Sequence, residues 1–284
     1  MTVADLPDEL AAAANRMAPV RARGVVSLSF RARPDGTTYP VSVSETGGYR
    51  ARFPRGGAPG VPEAVLINTG GGMAGGDHVA FDVALEPSAA AVVTTQAAER
   101  IYRSLGPDTR ITTTLACGAG ARLAWLPQET ILYDRGRLRR RIDVDMAADA
   151  TLLLSEIVVF GRTAMGERIR DGALDDRWQI RRAGELVLVE AVRLSGDIAA
   201  TLDRAAVGAG ARAAATLVLV APDAADRLEA ARSLVSADDV GAVSAWNGLL
   251  CARFLGEDAR RVRSAVGRFA AWAWRGALPR VWAS

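Results

Sequence analysis

From residue 25 to about residue 220 the chain consists of short runs in which apolar and polar residues alternate, each closed by Gly, Asp or Pro. In "HVAFDVAL" (78–85), Val79, Phe81, Val83 and Leu85 share one face, and His78 and Asp82 the other. A strand turns successive side chains to opposite faces, so this pattern predicts half-buried β-strands. The same reading covers 25–30, 63–68, 90–96, 110–117, 121–126, 138–146, 150–160, 177–182, 185–194 and 215–220. Small residues that open such runs recur at Ala90, Ala121, Ala150, Gly184 and Ala214, a spacing of roughly 30 residues that suits stacked strand layers better than a closed barrel. Beyond residue 220 the period changes. "DAADRLEAARSLV" (223–235) and "EDARRVRSAVGRFAAWAWR" (257–275) carry apolar residues at helical spacing, with Val262, Val266, Phe269 and Trp272 forming the stripe of the second. The expected fold is mainly β, with two α-helices near the C-terminus.

Composition narrows the chemistry. All 35 basic residues are arginine, so there is no Walker A lysine and no Schiff-base lysine. A net charge of +3 argues against a nucleic-acid binder, which needs a concentrated basic face. Half of the residues are hydrophobic, yet no run is long and apolar enough for a membrane span. The first residues carry early acids and no signal-peptide core, which points to a cytoplasmic protein with a mobile arm over 1–22 and one β-rich domain over 23–284. Cys117 and Cys251 belong to no paired motif and read as small buried thiols.

"AVLINTGGGMAGGDHVAFDV" (64–83) contains Gly70, Gly72 and Gly75 at the spacing of a dinucleotide fingerprint. That fingerprint must open a helix whose N-terminal amides hold the pyrophosphate. Here an alternating strand follows, so the glycines are expected to let a turn pack closely, with Asp77 capping it or facing a cavity. His78 is the only histidine and stands on the opposite face from its neighbour Asp77, so no stable nickel or zinc site is predicted. Glu129, Glu156 and Glu190 lie in apolar surroundings. Pairing with arginine would satisfy them; a polar lining inside an apolar body, or a glycosidase-type pair on a β-solenoid acting on polysaccharide, are the alternatives. Arg261, Arg268 and Arg275 repeat every seventh residue on one face of the last helix, either as solvated surface or as a partner-binding face.

The blocks "LINTGGGMAGGD" (66–77), "TTQAAERIYRS" (94–104), "WLPQETILYDRG" (125–136), "VFGRTAMGE" (159–167) and "LPRVW" (278–282), together with "GYRARFPR" (48–55), resemble the urease accessory protein family UreD, also called UreH. The resemblance covers the chain from about residue 20. It implies a non-enzymatic chaperone and scaffold that binds apo-urease and, with UreF and through it the GTPase UreG, enables GTP-dependent insertion of nickel. It also implies strand layers stacked in a helical arrangement and an internal route for transient Ni²⁺, with no tightly bound cofactor. By motif, Asp77, Thr94, Thr95, Gln96, Glu129, Glu156 and Glu167 are the expected lining of that route. At position 78 the family more often carries arginine, so His78 reads as a substitution and not as a ligand. Oxygen ligands placed weakly and in series suit a conduit, because a histidine or thiolate site would retain the ion.

Overall fold

The structure is a computed structural model and describes residues 21–282; most of the arm expected over 1–22 lies outside the described residues. Strands β1 (Arg23–Ala32), β2 (Thr38–Thr46) and β3 (Tyr49–Arg52) lead into a coil in which the chain passes alternately between two stacked sheets. The coil runs through β4 (Glu63–Asn68) and β5 (His78–Leu85), then β6 (Ala90–Thr95), β7 (Glu99–Ile101) and β8 (Thr109–Cys117). It continues through β9 (Arg122–Trp125), β10 (Thr130–Leu132) and β11 (Arg137–Met146), and ends with β12 (Thr151–Phe160) and β13 (Ala173–Arg182). The first sheet has the order β14-β13-β11-β8-β5-β1-β2, where β14 is Glu185–Ser195. The second has the order β16-β17-β15-β12-β9-β6-β4-β3, where β15 is Ala213–Val220, β16 is Val240–Trp246 and β17 is Leu249–Gly256, with β7 and β10 paired alongside. Within the coil the pairing is parallel; hairpins close both ends antiparallel. This is the mainly β, stacked, coil-like arrangement that the alternation predicts.

The repeat holds for Ala90, Ala121 and Ala150, which stand at the starts of successive coils. Gly184 and Ala214 do not extend it: one sits in the β13–β14 hairpin turn and the other inside antiparallel β15. The first sheet faces solvent on one side, so its strands alternate, as in β5 and β8. Strand β12, "TLLLSEIVVF", is buried on both faces and reads as one apolar run. Leu152, Leu154, Val158 and Phe160 enter the core between the sheets, while Leu153, Ile157 and Val159 enter a second core beneath a helix.

That helix is α3 (Ala259–Trp274), preceded by α1 (Ile198–Asp203) and α2 (Leu228–Arg232). Asp258 caps α3, its side chain accepting from the Arg260 N–H at 2.8 Å, and Val262, Val266 and Phe269 are buried against the second sheet. Trp272, expected in the stripe, is only half-buried and meets the Phe269 ring edge-on at 5.3 Å. The helix expected over 223–235 is shorter, a 3₁₀ turn at Ala225–Arg227 followed by α2. The C-terminal part is also less helical than its period suggests, since β16 and β17 separate α2 from α3. No helix among the described residues is long and apolar enough to cross a membrane.

The glycine-rich turn between β4 and β5 packs against the next coil. A Cβ on Gly75 would lie 2.0 Å from Ser104 Oγ and 2.7 Å from the Pro107 carbonyl oxygen, and one on Gly72, whose φ is +153°, 2.4 Å from the Tyr102 ring. The glycines are there for close approach.

Candidate functional site

The coil's second sheet is interrupted at one level. Pro127, which has no N–H to donate, falls in the segment 126–129 that separates β9 from β10, and residues 96–98 separate β6 from β7. Strand β12 runs on without a break, so its residues 155–157 face the four residues 126–129. Side chains replace part of the missing ladder. Thr94 Oγ1 donates to the Leu126 carbonyl at 2.6 Å, and Thr95 Oγ1 accepts from the Gln128 N–H at 2.8 Å. The result is a polar seam through an otherwise apolar sheet.

On the side facing the first sheet, the seam carries Glu156. The carboxylate is buried, accepts from Trp125 Nε1 at 3.2 Å and forms an ion pair with Arg140 Nη1. Arg140 also bonds Asp176 through Nε at 3.0 Å and through Nη2, and Trp178 Nε1 donates to Asp176 at 2.9 Å. One guanidinium thus serves two carboxylates among side chains that are all buried. Burial pushes the Glu156 carboxyl up to about 7, with Asp176 adding to the rise and Arg140 opposing it. A proton on Glu156 would make the trio neutral, which lowers the cost of keeping it out of water.

A second, half-buried carboxylate stands on the same face toward β4, in register with Thr130 and Val158 and so two residues along from Glu156. Glu99 accepts from Asn68 Nδ2 at 2.9 Å and from the Tyr49 hydroxyl at 3.4 Å, and burial holds it up at about 7. These residues, with Thr95, Gln96 and Phe81, line a cavity of about 260 Å³. Between Glu99 and Glu156 lies an aromatic bridge. The Tyr49 and Phe81 rings are 5.7 Å apart, and those of Phe81 and Trp125 are 5.9 Å apart.

On the opposite side of the sheet, Arg263 of α3 donates to Gln128 Oε1 at 2.6 Å, to Glu129 at 3.1 Å and to the Val281 carbonyl at 2.6 Å, while its guanidinium lies 4.9 Å over the Trp282 ring. Trp282 Nε1 donates to the Leu126 carbonyl at 3.0 Å. Gln128 Nε2 and Ser155 Oγ, both buried here, have no hydrogen-bond partner among the described residues. Glu190, the third carboxylate in an apolar run, pairs with Arg253. Each of Glu129, Glu156 and Glu190 therefore has an arginine.

The remaining residues expected at a nickel route stand apart from the seam. Asp77 caps its own turn and anchors the start of β1, accepting from the Ala74 N–H at 2.7 Å and the Ala22 N–H at 2.8 Å. Glu167 pairs with Arg162 at 2.8 Å and accepts from its backbone N–H at 2.9 Å; hydrogen bonding to Arg162 holds its carboxyl below the usual range. Exposed His78 lies 3.5 Å from Thr112 Oγ1. Among the described residues no group of three or more His, Cys, Asp or Glu side chains could hold a metal ion. Burial pushes the two free thiols up, Cys117 to about 12 and Cys251 to about 11.

The model of the UreD urease accessory protein family matches residues 22–283. The chain belongs to the UreD family. It is 50% identical over 274 residues to urease accessory protein UreD 1 of Methylobacterium radiotolerans, covering 94% of each chain. It is also 50% identical over 265 residues to UreD of Azorhizobium caulinodans, covering 93% of this chain and 97% of that one. A third relative, UreD of Rhodopseudomonas palustris strain HaA2, is 47% identical over 265 residues. Membership gives the chain a non-catalytic role in urease maturation, which sets aside the polysaccharide-active enzyme.

Three of the UreD-like blocks, 94–104, 125–136 and 278–282, meet at the seam through the Thr94, Gln128 and Trp282 contacts. Arg140, Asp176 and Glu99 are not among the residues expected from the UreD resemblance. Arg140 carried a readable signal: in "LRRRIDVDM" it shares the face of Leu138 and Ile142, as Asp176 shares that of Leu174 and Trp178. Glu99 had none, because β7 is three residues long. Of the arginines expected at a partner face, Arg268 is tied to Asp239 at 2.6 Å and Arg275 to Asp223 at 3.0 Å. Arg261 is exposed and makes no ion pair among the described residues.

Proposed function

We propose that this UreD-family chain acts in the cytoplasm as the scaffold on which UreF, and through it the GTPase UreG, assemble with apo-urease, and that Ni²⁺ passes through it along the polar seam during GTP-dependent loading. The observation that carries this reading is the placement of two carboxylates on the inter-sheet face of the second sheet, half-buried Glu99 and buried Glu156, joined by the Tyr49–Phe81–Trp125 bridge. Apolar packing would be cheaper at both places, so ionisable groups there call for a role. Each offers oxygen ligands without a third protein ligand to trap the ion, as transit requires. In this reading Thr95 and Gln96 line the mouth beside Glu99. Thr94 and Glu129 belong to the outer side of the seam, while Asp77 and Glu167 act from the neighbouring turns. On α3, Arg261 is the proposed UreF contact; charge reversal at Arg261 and Arg268 with UreF binding unchanged removes that assignment.

The test is co-expression of the tagged chain with urease subunits, UreF and UreG, followed by purification of the assembly and measurement of urease nickel. Glu99→Gln and Glu156→Gln, which keep side-chain shape, are expected to leave the assembly intact and lower the nickel content. Normal nickel in both variants refutes the route. Failure of the unaltered chain to assemble with any of the three refutes the scaffold.

A further inference from the structure

The coils end on one side in four stacked turns, residues 69–76, 102–108, 133–136 and 161–171. Backbone hydrogen bonds tie them together: Tyr102 N–H to the Met73 carbonyl at 2.8 Å, Ser104 N–H to Arg135 at 2.8 Å and Arg135 N–H to Asp171 at 2.6 Å. Side chains brace the same stack. The Tyr102 hydroxyl donates to the Gly71 carbonyl at 3.0 Å, its ring meets Tyr133 edge-on at 5.3 Å, and the Arg162 guanidinium lies 4.7 Å over Tyr133 while held by Glu167. This face is rigid.

On it stand Leu105, 82% exposed, and Met165, 75% exposed, the two most exposed large hydrophobic side chains among the described residues. One exposed leucine needs no explanation. Two on a braced face do, because nothing in the stack uses them. Around them Arg103, Arg135 and Arg170 are exposed and make no ion pair among the described residues, whereas Arg162 and Arg168 of the same turns are held by Glu167 and Asp203. Asp134 does not neutralise them; its Oδ1 accepts from the Arg170 and Asp171 N–H groups at 2.7 and 3.2 Å. That leaves Asp171 as the exposed carboxylate of the turn 161–171 that is not held by an arginine. Arg135 also sits at φ +62°, a region that glycine or asparagine occupies more cheaply.

We propose that this turn face docks an acidic protein surface, with apolar sockets that receive Leu105 and Met165 and carboxylates that meet Arg103, Arg135 and Arg170. Arginine and methionine are enriched at protein interfaces, and a planar guanidinium pairs bidentately with a carboxylate. A nucleic acid would supply the negative charge but no socket for the two aliphatic tips, and Tyr102 and Tyr133 are engaged with each other, not presented for base stacking. The proposal rests on the preceding reading in one respect: the partner is sought among urease, UreF and UreG.

The test uses the full chain co-expressed with those proteins. Arg103→Glu/Arg135→Glu/Arg170→Glu is expected to weaken one of the pairwise affinities on the order of 100-fold, and Leu105→Ser/Met165→Ser about 10-fold, with circular dichroism and thermal midpoint unchanged in both. Peroxide oxidation of Met165 to its sulfoxide is expected to slow in the assembly relative to the free chain, with buried Met73 and Met146 as internal references. An assembly that forms with unaltered affinity in both variants, and in which Met165 oxidises as in the free chain, overturns the docking face and leaves the scaffold standing. An unaltered chain that assembles with none of the three overturns both. Retention of a duplex DNA oligonucleotide at physiological salt, lost in the triple reversal, assigns the face to nucleic acid and overturns the proposal.

Discussion

Glu99→Gln should make the protein more stable at pH 8 and leave it nearly unchanged at pH 4. Burial raises the Glu99 carboxyl from its ordinary 4.5 to about 7. Between those values the folded chain holds a proton that the unfolded chain has released, so stability falls as pH rises through that window and stays lower above it. The rise from 4.5 to about 7 corresponds to about 3 kcal/mol. Glutamine carries no charge, fills the same volume and keeps a carbonyl oxygen for Asn68 Nδ2 and the Tyr49 hydroxyl. The difference between the two proteins should therefore grow from near zero at pH 4 to as much as about 3 kcal/mol at pH 8. For a chain of this size that is a rise in thermal midpoint of about 5–10 °C. Urea unfolding of both proteins across pH 4–8 measures the difference, and contributions of other carboxylates cancel in it. A difference that does not change with pH, or a variant less stable than the original at pH 8, refutes the assignment of a destabilising buried charge to Glu99.

Three further substitutions probe the frame around the seam. Arg140→Leu leaves Glu156 and Asp176 buried without their cation and should cost about 3–5 kcal/mol at neutral pH, with part of the loss recovered at pH 5, where Glu156 is protonated; urea denaturation at the two pH values reads it. Gly75→Ala places a methyl against the Pro107 carbonyl and Ser104 Oγ, so the turn must move; a loss of about 1–3 kcal/mol is expected in thermal unfolding. Trp282→Ala removes the ring beneath Arg263 and the donor to the Leu126 carbonyl, and should lower stability by about 3–5 kcal/mol, measured by the same denaturation.

Glu129, Glu156 and Glu190 were legible as carboxylates set in apolar runs, of which only Glu156 is fully buried, but nothing in those runs said which arginine each would meet. Their partners Arg263, Arg140 and Arg253 lie on other elements, two of them far along the chain. The strands that escaped the alternation did so for physical reasons. β7 and β10 have three residues each, too few to show a period, and β2 is exposed along most of its length, so no apolar face is demanded of it. Asp77 was legible as a turn residue; its hold on Ala22, 55 positions earlier in the chain, was not.

By itself the sequence determined the longer strand-forming runs up to Val220, the coil spacing as far as Ala150, the α3 stripe and the failure of the glycine loop as a nucleotide site. All of these follow from local backbone geometry, where side-chain direction repeats every second or every 3.6 residues. Tertiary structure alone decided that Glu99 and Glu156 share one face of the second sheet, that Arg140 bridges two carboxylates, and that Leu105 and Met165 rise from one braced face. Those juxtapositions depend on parallel register between coils and on where the ladder breaks at residues 126–129. Register is a relation between strands some 30 residues apart, and no local period encodes it.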